Sequence, residues 1–508
     1  MNFLSFSFLI FIAVTFITFY LVGFLNSKFN KFNVPQWSVL LIASMVFLGI
    51  GRFGSLLYIF GSSLIVYVIG YYIYTNVDNK YAVEYKDFFD KRNKIAATIG
   101  VILITSVLVV LKYFNFFSIN LLKIFGVEFS GFEFFIPLGI SFYTFTLIAY
   151  LVDICNRKYL PETNYFKFSL FGSYFPKMLQ GPITNIAKCA GGGLYNSHTL
   201  AEVDFFGSFR RFTIGMCKKV IIADTIGIFV NYTWKNYSEI NGFILIFAAI
   251  LYSIQLYCDF SGYIDMGLAI SKLFGVELEE NFNTPYLSKD VAEFWRRWHI
   301  TLGAWLKEYI YFPLGGNRCK KIKWMFNIMV VWLVSGLWHG ANWTYVIWGI
   351  YFGILIIITS LIRKKFSRKG KKQPLISSSL QVILTFVLVT FGWVFFRAPT
   401  LMDAFKYIGY SFSNMGLNGL NIFTKSGISW IYMIIAFICI ALLIGTLIYK
   451  NNREKILLKT NTANSLALKI ENCVAYAICI AMFAFAIILI IYYGGLGVGT
   501  SSFIYFEF

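Results

Sequence analysis

EFWRRWHITLGAWLKEYIYFPLGGNR (Glu293–Arg318), followed after one apolar run by SGLWHGANW (Ser335–Trp343), decides how this chain is read. Two of the chain's three histidines lie here, His299 and His339, set among tryptophans, leucines and phenylalanines. A titratable side chain in such surroundings is costly unless it is hydrogen-bonded or hydrated, so each histidine points to a functional site.

Working outward, the 508 residues are 58% hydrophobic and 13% charged, with Phe, Tyr and Ile in blocks long enough to cross a bilayer. That describes an all-α polytopic membrane protein, since helices satisfy their own backbone in lipid. The net charge of +20 sits in short loops between apolar runs. We read it as positive-inside topology and expect no nucleic acid. The eight cysteines form no CxxC pair, so neither disulfides nor a metal is expected. The first apolar stretch lacks a basic leader and a small-residue cleavage site, which reads as an anchor.

Hydropathy and basic loops predict roughly twelve spans with both termini outside. The basic run RKKFSRKGKK (Arg363–Lys372) falls in the cytosol. Residues 1–508 read as one membrane-embedded domain, with no repeat or linker. Three stretches break the pattern. YFPKMLQGPI (Tyr174–Ile183) mixes Lys177, Gln180 and two prolines into apolar sequence, as a cytosolic surface layer or a funnel wall would. CDFSGYIDMGLAIS (Cys258–Ser271) carries Asp259, Ser261 and Asp265 and reads as a short or re-entrant helix after a span ending at Tyr257. In Glu293–Phe312, Trp295, Trp298, Leu302, Trp305, Tyr309 and Phe312 recur in steps of three and four, which predicts one amphipathic helix at the membrane interface or shallowly under the catalytic core.

Each histidine has two readings. His339 is either a core histidine bonded to a backbone carbonyl or a base, since neutral imidazole takes a proton from a hydroxyl near pH 7. His299 either snorkels at the interface or takes part in chemistry. Arg296 and Arg297 suit an anion or simply anchor a helix; Asp259 and Asp265 orient a histidine or bond helix ends. His198, in a polar loop, reads as solvated. No GxSxG, Walker A, HExxH or GxGxxG pattern is present, which argues against a serine hydrolase, an ATP-driven pump and a metalloprotease.

NFNTPY (Asn281–Tyr286) with EFWRRWHITLGAWLKEYIYFPLGGNR and SGLWHGANWTYVIWG resembles the membrane-bound O-acyltransferase superfamily. More narrowly, it is similar to the branch of alginate O-acetylation and peptidoglycan acetyl-transfer proteins. PLGISFYTFTLIAYLVD, YFPKMLQGPI, CDFSGYIDMGLAIS and GWVFFRAPTLMDA extend the match over roughly residues 40–400. The resemblance implies a helical bundle around a central funnel, with His339 and His299 as catalytic residues. It implies Trp338, Asn342 and Ser335 beside them, and Trp295, Arg296, Asp259, Ser261 and Gln180 along the tunnel or in support. It further implies an acyl group, acetyl in this branch, taken from cytosolic acetyl-CoA and delivered to an extracytoplasmic hydroxyl in a bacterial cytoplasmic membrane. The implied receiver is an SGNH or serine-esterase-like acetyltransferase that serves a polysaccharide. D-Alanyl transfer from an acyl-carrier protein, and a non-enzymatic role in polysaccharide or lipid translocation, remain the alternatives.

Overall fold

The structure, a computed structural model, describes residues 3–29, 33–50, 53–77, 86–368, 378–413, 415, 433–442, 445 and 465–495. Its helices are α1 (Phe6–Lys28), α2 (Trp37–Gly49), α3 (Phe53–Val77), α4 (Lys86–Ile124), α5 (Ile140–Cys155), α6 (Tyr165–Ser173), α7 (Phe175–Met178), α8 (Ile186–Gly191), α9 (Phe205–Cys217) and α10 (Thr225–Lys235). Then come α11 (Gly242–Leu273), α12 (Val291–Arg297), α13 (Ile300–Leu306), α14 (Lys321–His339), α15 (Trp343–Arg368), α16 (Ser378–Arg397) and α17 (Leu401–Ser413), with a last helix at Ser465–Gly495. Among the described residues, six helices are long and apolar enough to cross a membrane: α1, α3, α4, α11, α15 and α16. Four shorter apolar helices accompany them, including α2 and α5. Much of the predicted span at 430–449 lies outside the described residues.

The chain divides into two compact units. The first comprises Met1–Ser208, Gly267–Glu280 and Thr301–Gly316. In it α1, α3 and α4 turn large apolar side chains outward, whereas α5 is buried along most of its length. Pro137 and Gly139 start α5, with Gly139 left-handed (φ +70°) where an added Cβ would meet the Met178 carbonyl oxygen at 2.6 Å. YFPKMLQGPI is an interior segment: α7 is buried throughout, and Lys177 Nζ donates to Thr184 Oγ1 at 3.3 Å over the Phe171 ring. Its end reaches the second half of the opening motif, where the Ile183 N–H donates to Thr301 Oγ1 (3.1 Å). Trp305 stacks on Phe145 with centroids 3.7 Å apart and donates its indole N–H to the Phe145 carbonyl. The Tyr309 hydroxyl and Lys158 both donate to the buried Asp153 carboxylate. His198 is not a solvated loop residue. Its ring, within 2.9 Å of the Gly193 carbonyl, packs over Gly275 and leaves little of the side chain exposed, because two glycines open a slot for it.

The second unit comprises Phe209–Met266, Asn281–Ile300 and Asn317–Phe508. A π-helical turn, Lys218–Asp224, joins α9 to α10. Such turns recur at functional positions because they re-aim side chains. Here they bring two lysines to α11. Buried Lys219 meets Asp259 (2.6 Å) and Asp224 (2.9 Å), while Lys218 and Arg211 meet Asp265.

Two further expectations are corrected. Cys258–Ser271 is not a separate or re-entrant helix, because α11 runs unbroken through it for 32 residues. The acidic residues there need no helix break, since lysines from the π turn neutralise them. Nor is Glu293–Phe312 one interfacial helix. It breaks at Trp298–His299, and the stripe residues Trp298, Leu302 and Trp305 are buried. The periodicity was that of core packing.

Candidate active site

α12 begins where the Asp290 carboxylate accepts the Glu293 N–H (2.9 Å) and ends after Arg297, which pairs back to Glu293. Trp298 is then extended and forms an isolated antiparallel bridge with Phe282. The Asn283 N–H donates to the Arg297 carbonyl (2.9 Å), and the Ile300 N–H to that of Asn281 (3.0 Å). This short ladder brackets His299, which adopts φ +47°. A left-handed backbone at a non-glycine residue costs of order 1–3 kcal/mol and collects at functional sites. His299 is buried, and its Nδ1 lies 3.3 Å from Asn281 Oδ1. An amide oxygen only accepts, so Nδ1 carries the proton and Nε2 the lone pair. Burial first, and then His339, holds the His299 pKa well below the ordinary imidazole value.

His339 ends α14, where Nδ1 donates to the Ser335 carbonyl at 2.6 Å. That bond selects the same tautomer, with Nε2 as the basic atom. Its ring lies against Trp348 (5.0 Å between centroids) and Phe396 (5.4 Å). Gly340 follows because a Cβ there would overlap the Tyr345 ring. Trp338 stands edge-on to both histidines, 4.9 Å from His339 and 5.9 Å from His299. The two buried histidines thus pack against one tryptophan within the second unit.

The other sequence candidates are spread around this pair. Trp295 builds the wall with Trp332, Trp348 and Phe352. Ser335 supplies its carbonyl to His339. Asn342 caps α15, accepting the Thr344 N–H and donating to the Pro399 carbonyl. Arg296 is exposed. Asp259 accepts from Lys219, and Ser261 is buried two residues along α11. Gln180 is buried in the first unit. Sequence reasoning missed Asn281, and also Phe260, whose ring stands 4.9 Å from His299. The signal for Asn281 was weak: it opens NFNTPY directly after Glu279 and Glu280, where a polar residue reads as part of a loop.

Comparison with known proteins places this architecture. The profile of the membrane-bound O-acyltransferase family matches residues 157–398, which include both histidines. The chain is 35% identical over 349 residues to "Probable alginate O-acetylase AlgI" of Pseudomonas aeruginosa, across 68% of this chain and 65% of that relative. It is 32% identical over 414 residues to the peptidoglycan O-acetyltransferase of Helicobacter pylori, across 75% of this chain and 74% of that relative. The chain belongs to the membrane-bound O-acyltransferase family. This O-acyltransferase is also 29% identical over 276 residues to the teichoic acid D-alanyltransferase of Bacillus subtilis, across 51% of this chain and 68% of that relative. With its apolar helices, the family assignment makes it a multi-pass protein of the bacterial cytoplasmic membrane.

Proposed function

We propose that this membrane O-acyltransferase moves an acetyl group from cytosolic acetyl-CoA to a hydroxyl on the far side of the membrane. The whole chain, residues 1–508, acts as one acyltransferase domain in this reading. The observation that carries it is the pair of buried histidines, each with Nδ1 on a protein acceptor, on either side of Trp338. An aromatic pocket suits a neutral thioester and excludes the water that would hydrolyse it.

His339 Nε2 takes the proton from the acceptor hydroxyl as its oxygen attacks the acyl carbonyl. The C–S bond breaks, and the departing thiolate recovers that proton from the imidazolium. Developing oxyanion charge falls to the Trp338 indole N–H, since His299 presents a lone pair at Nε2 and the Asn342 amide is occupied as a cap. The similarity to alginate and peptidoglycan O-acetylating relatives supports a surface polysaccharide as final acceptor. In this reading an SGNH or serine-esterase-like partner passes the group on. The D-alanyltransferase relative supports a second reading, in which the donor is a carrier-protein thioester.

The test is thiol release by the purified protein in detergent, offered acetyl-CoA or a D-alanyl carrier protein, with a hydroxyl acceptor. Acetyl-CoA turnover that disappears in folded His339→Ala supports the proposal. Turnover of the carrier-protein donor alone moves the reading to D-alanyl transfer. No turnover of either donor with any acceptor would mean that the partner protein is obligatory or that the chain has a translocation role.

A further inference from the structure

We infer that Asn281 is the positioning residue for His299, setting its tautomer and aiming Nε2 through a clamp built from both its main chain and its side chain. The inference rests on the reading of His299 as part of the acyl-transfer site and extends it to a residue outside the two histidine motifs.

The geometry is specific. The Asn281 carbonyl accepts the Ile300 N–H at 3.0 Å, immediately after His299, while its side-chain Oδ1 lies 3.3 Å from His299 Nδ1. Asn281 is fully buried. One residue therefore grips both the left-handed backbone that carries the histidine and the imidazole itself. The neighbouring register holds the clamp in place: Phe282 bridges Trp298, and the Asn283 N–H bonds the Arg297 carbonyl. The Phe260 ring closes the side, edge-on to both Phe282 and His299.

The chemistry of the partner matters. A carboxylate facing Nδ1 would favour the imidazolium, which can no longer accept a proton or bind through a lone pair at Nε2. An amide oxygen gives the same hydrogen bond while leaving the ring neutral. A backbone carbonyl takes the Nδ1–H of His339, so the two rings both offer Nδ1–H to an uncharged acceptor. Outer partners of this kind commonly change activity by about 10–100-fold when removed, because they fix the orientation of the group that touches substrate.

The chain contains three histidines, which makes the claim directly readable by nitrogen-15 spectroscopy of histidine-labelled protein in detergent, assigned through His198→Gln, His299→Gln and His339→Gln. The parent should give His299 as the Nδ1–H tautomer. Asn281→Leu, which keeps the carbonyl for Ile300, should convert it to the Nε2–H form or an exchanging mixture. Asn281→Asp should raise the His299 titration midpoint. In acyl-transfer assays Asn281→Leu should lower kcat about tenfold or more with KM little changed, and Asn281→Asp should recover turnover as pH rises.

An unchanged tautomer in Asn281→Leu, or an unmoved midpoint in Asn281→Asp, overturns the inference. If Asn281→Leu does not fold, the Asn281→Asp midpoint decides alone. These spectra are independent of turnover. An active His339→Ala enzyme would sink the functional reading and leave the clamp standing, whereas an unmoved midpoint in an enzyme that does depend on His339 sinks the clamp alone.

Discussion

The Lys219 ammonium lies 2.6 Å from the Asp259 carboxylate, and both side chains are buried between α11 and the π turn. Asp224 completes the triad at 2.9 Å. Removing one member of a buried pair strands the other in a poor solvent, at a cost of about 3–5 kcal/mol. Lys219→Met should therefore lower thermal stability in detergent sharply. The double variant Lys219→Met with Asp259→Leu should be less destabilised than the sum of the two single changes. A double-mutant cycle checks this; additive losses would mean the pair is not coupled.

Trp338 is the ring shared by the two histidines. Trp338→Phe retains an aromatic edge but removes the indole N–H. If that N–H supports the oxyanion, kcat should fall about 100-fold, with KM nearly unchanged. Steady-state kinetics beside the parent separate the two constants, and an unaltered kcat would exclude the Trp338 N–H from that role.

Gly340 is packed against the Tyr345 ring, which leaves no room for a Cβ. Gly340→Ala should push Tyr345 aside, disturb the end of α14 and cut turnover. Tyr345→Leu frees that space, so adding it to Gly340→Ala should restore part of the loss. Turnover of the single and double variants, with stability measured in parallel, tests the pairing.

His299 lies between α12 and α13, outside the membrane-spanning helices, and burial followed by His339 keeps its pKa well below the usual range. In the unfolded chain its imidazole gains a proton below about pH 6.5, while in the folded protein it stays neutral. The unfolded state then binds more protons, so stability rises with pH through this region and is lost on acidification. The slope assigned to this group is about 1.4 kcal/mol per pH unit. His299→Gln should flatten the dependence of Tm on pH between 5 and 6.5. An identical slope in the variant would show that His299 does not titrate this way.

Much of the site could be read in advance, for reasons specific to each residue. His339 stood out because a histidine followed by glycine at the end of an apolar run is costly without a role. His299 was equally visible, but its setting was misjudged. The stripe from Trp295 to Phe312 has helical period, and period alone does not reveal a break when apolar residues continue on both sides of it. Here the break comes from main-chain bonds between Ile300 and Asn281 and between Arg297 and Asn283, partners too far upstream for local propensity to contain. Asp259 was offered either as a histidine partner or as a bond between helix ends, and it meets Lys219, 40 residues away.

The sequence by itself determined the solvent, the helical class, the family and the two histidines. The solvent and class follow from composition and span length, the family from the resemblance of its long motifs, and the histidines from side chains whose burial is expensive. Tertiary structure alone decided the left-handed turn at His299, the Asn281 clamp, the tautomers and the ion triad around Lys219. Each depends on partners distant in the chain, brought within hydrogen-bonding reach only when the helices pack and water is excluded.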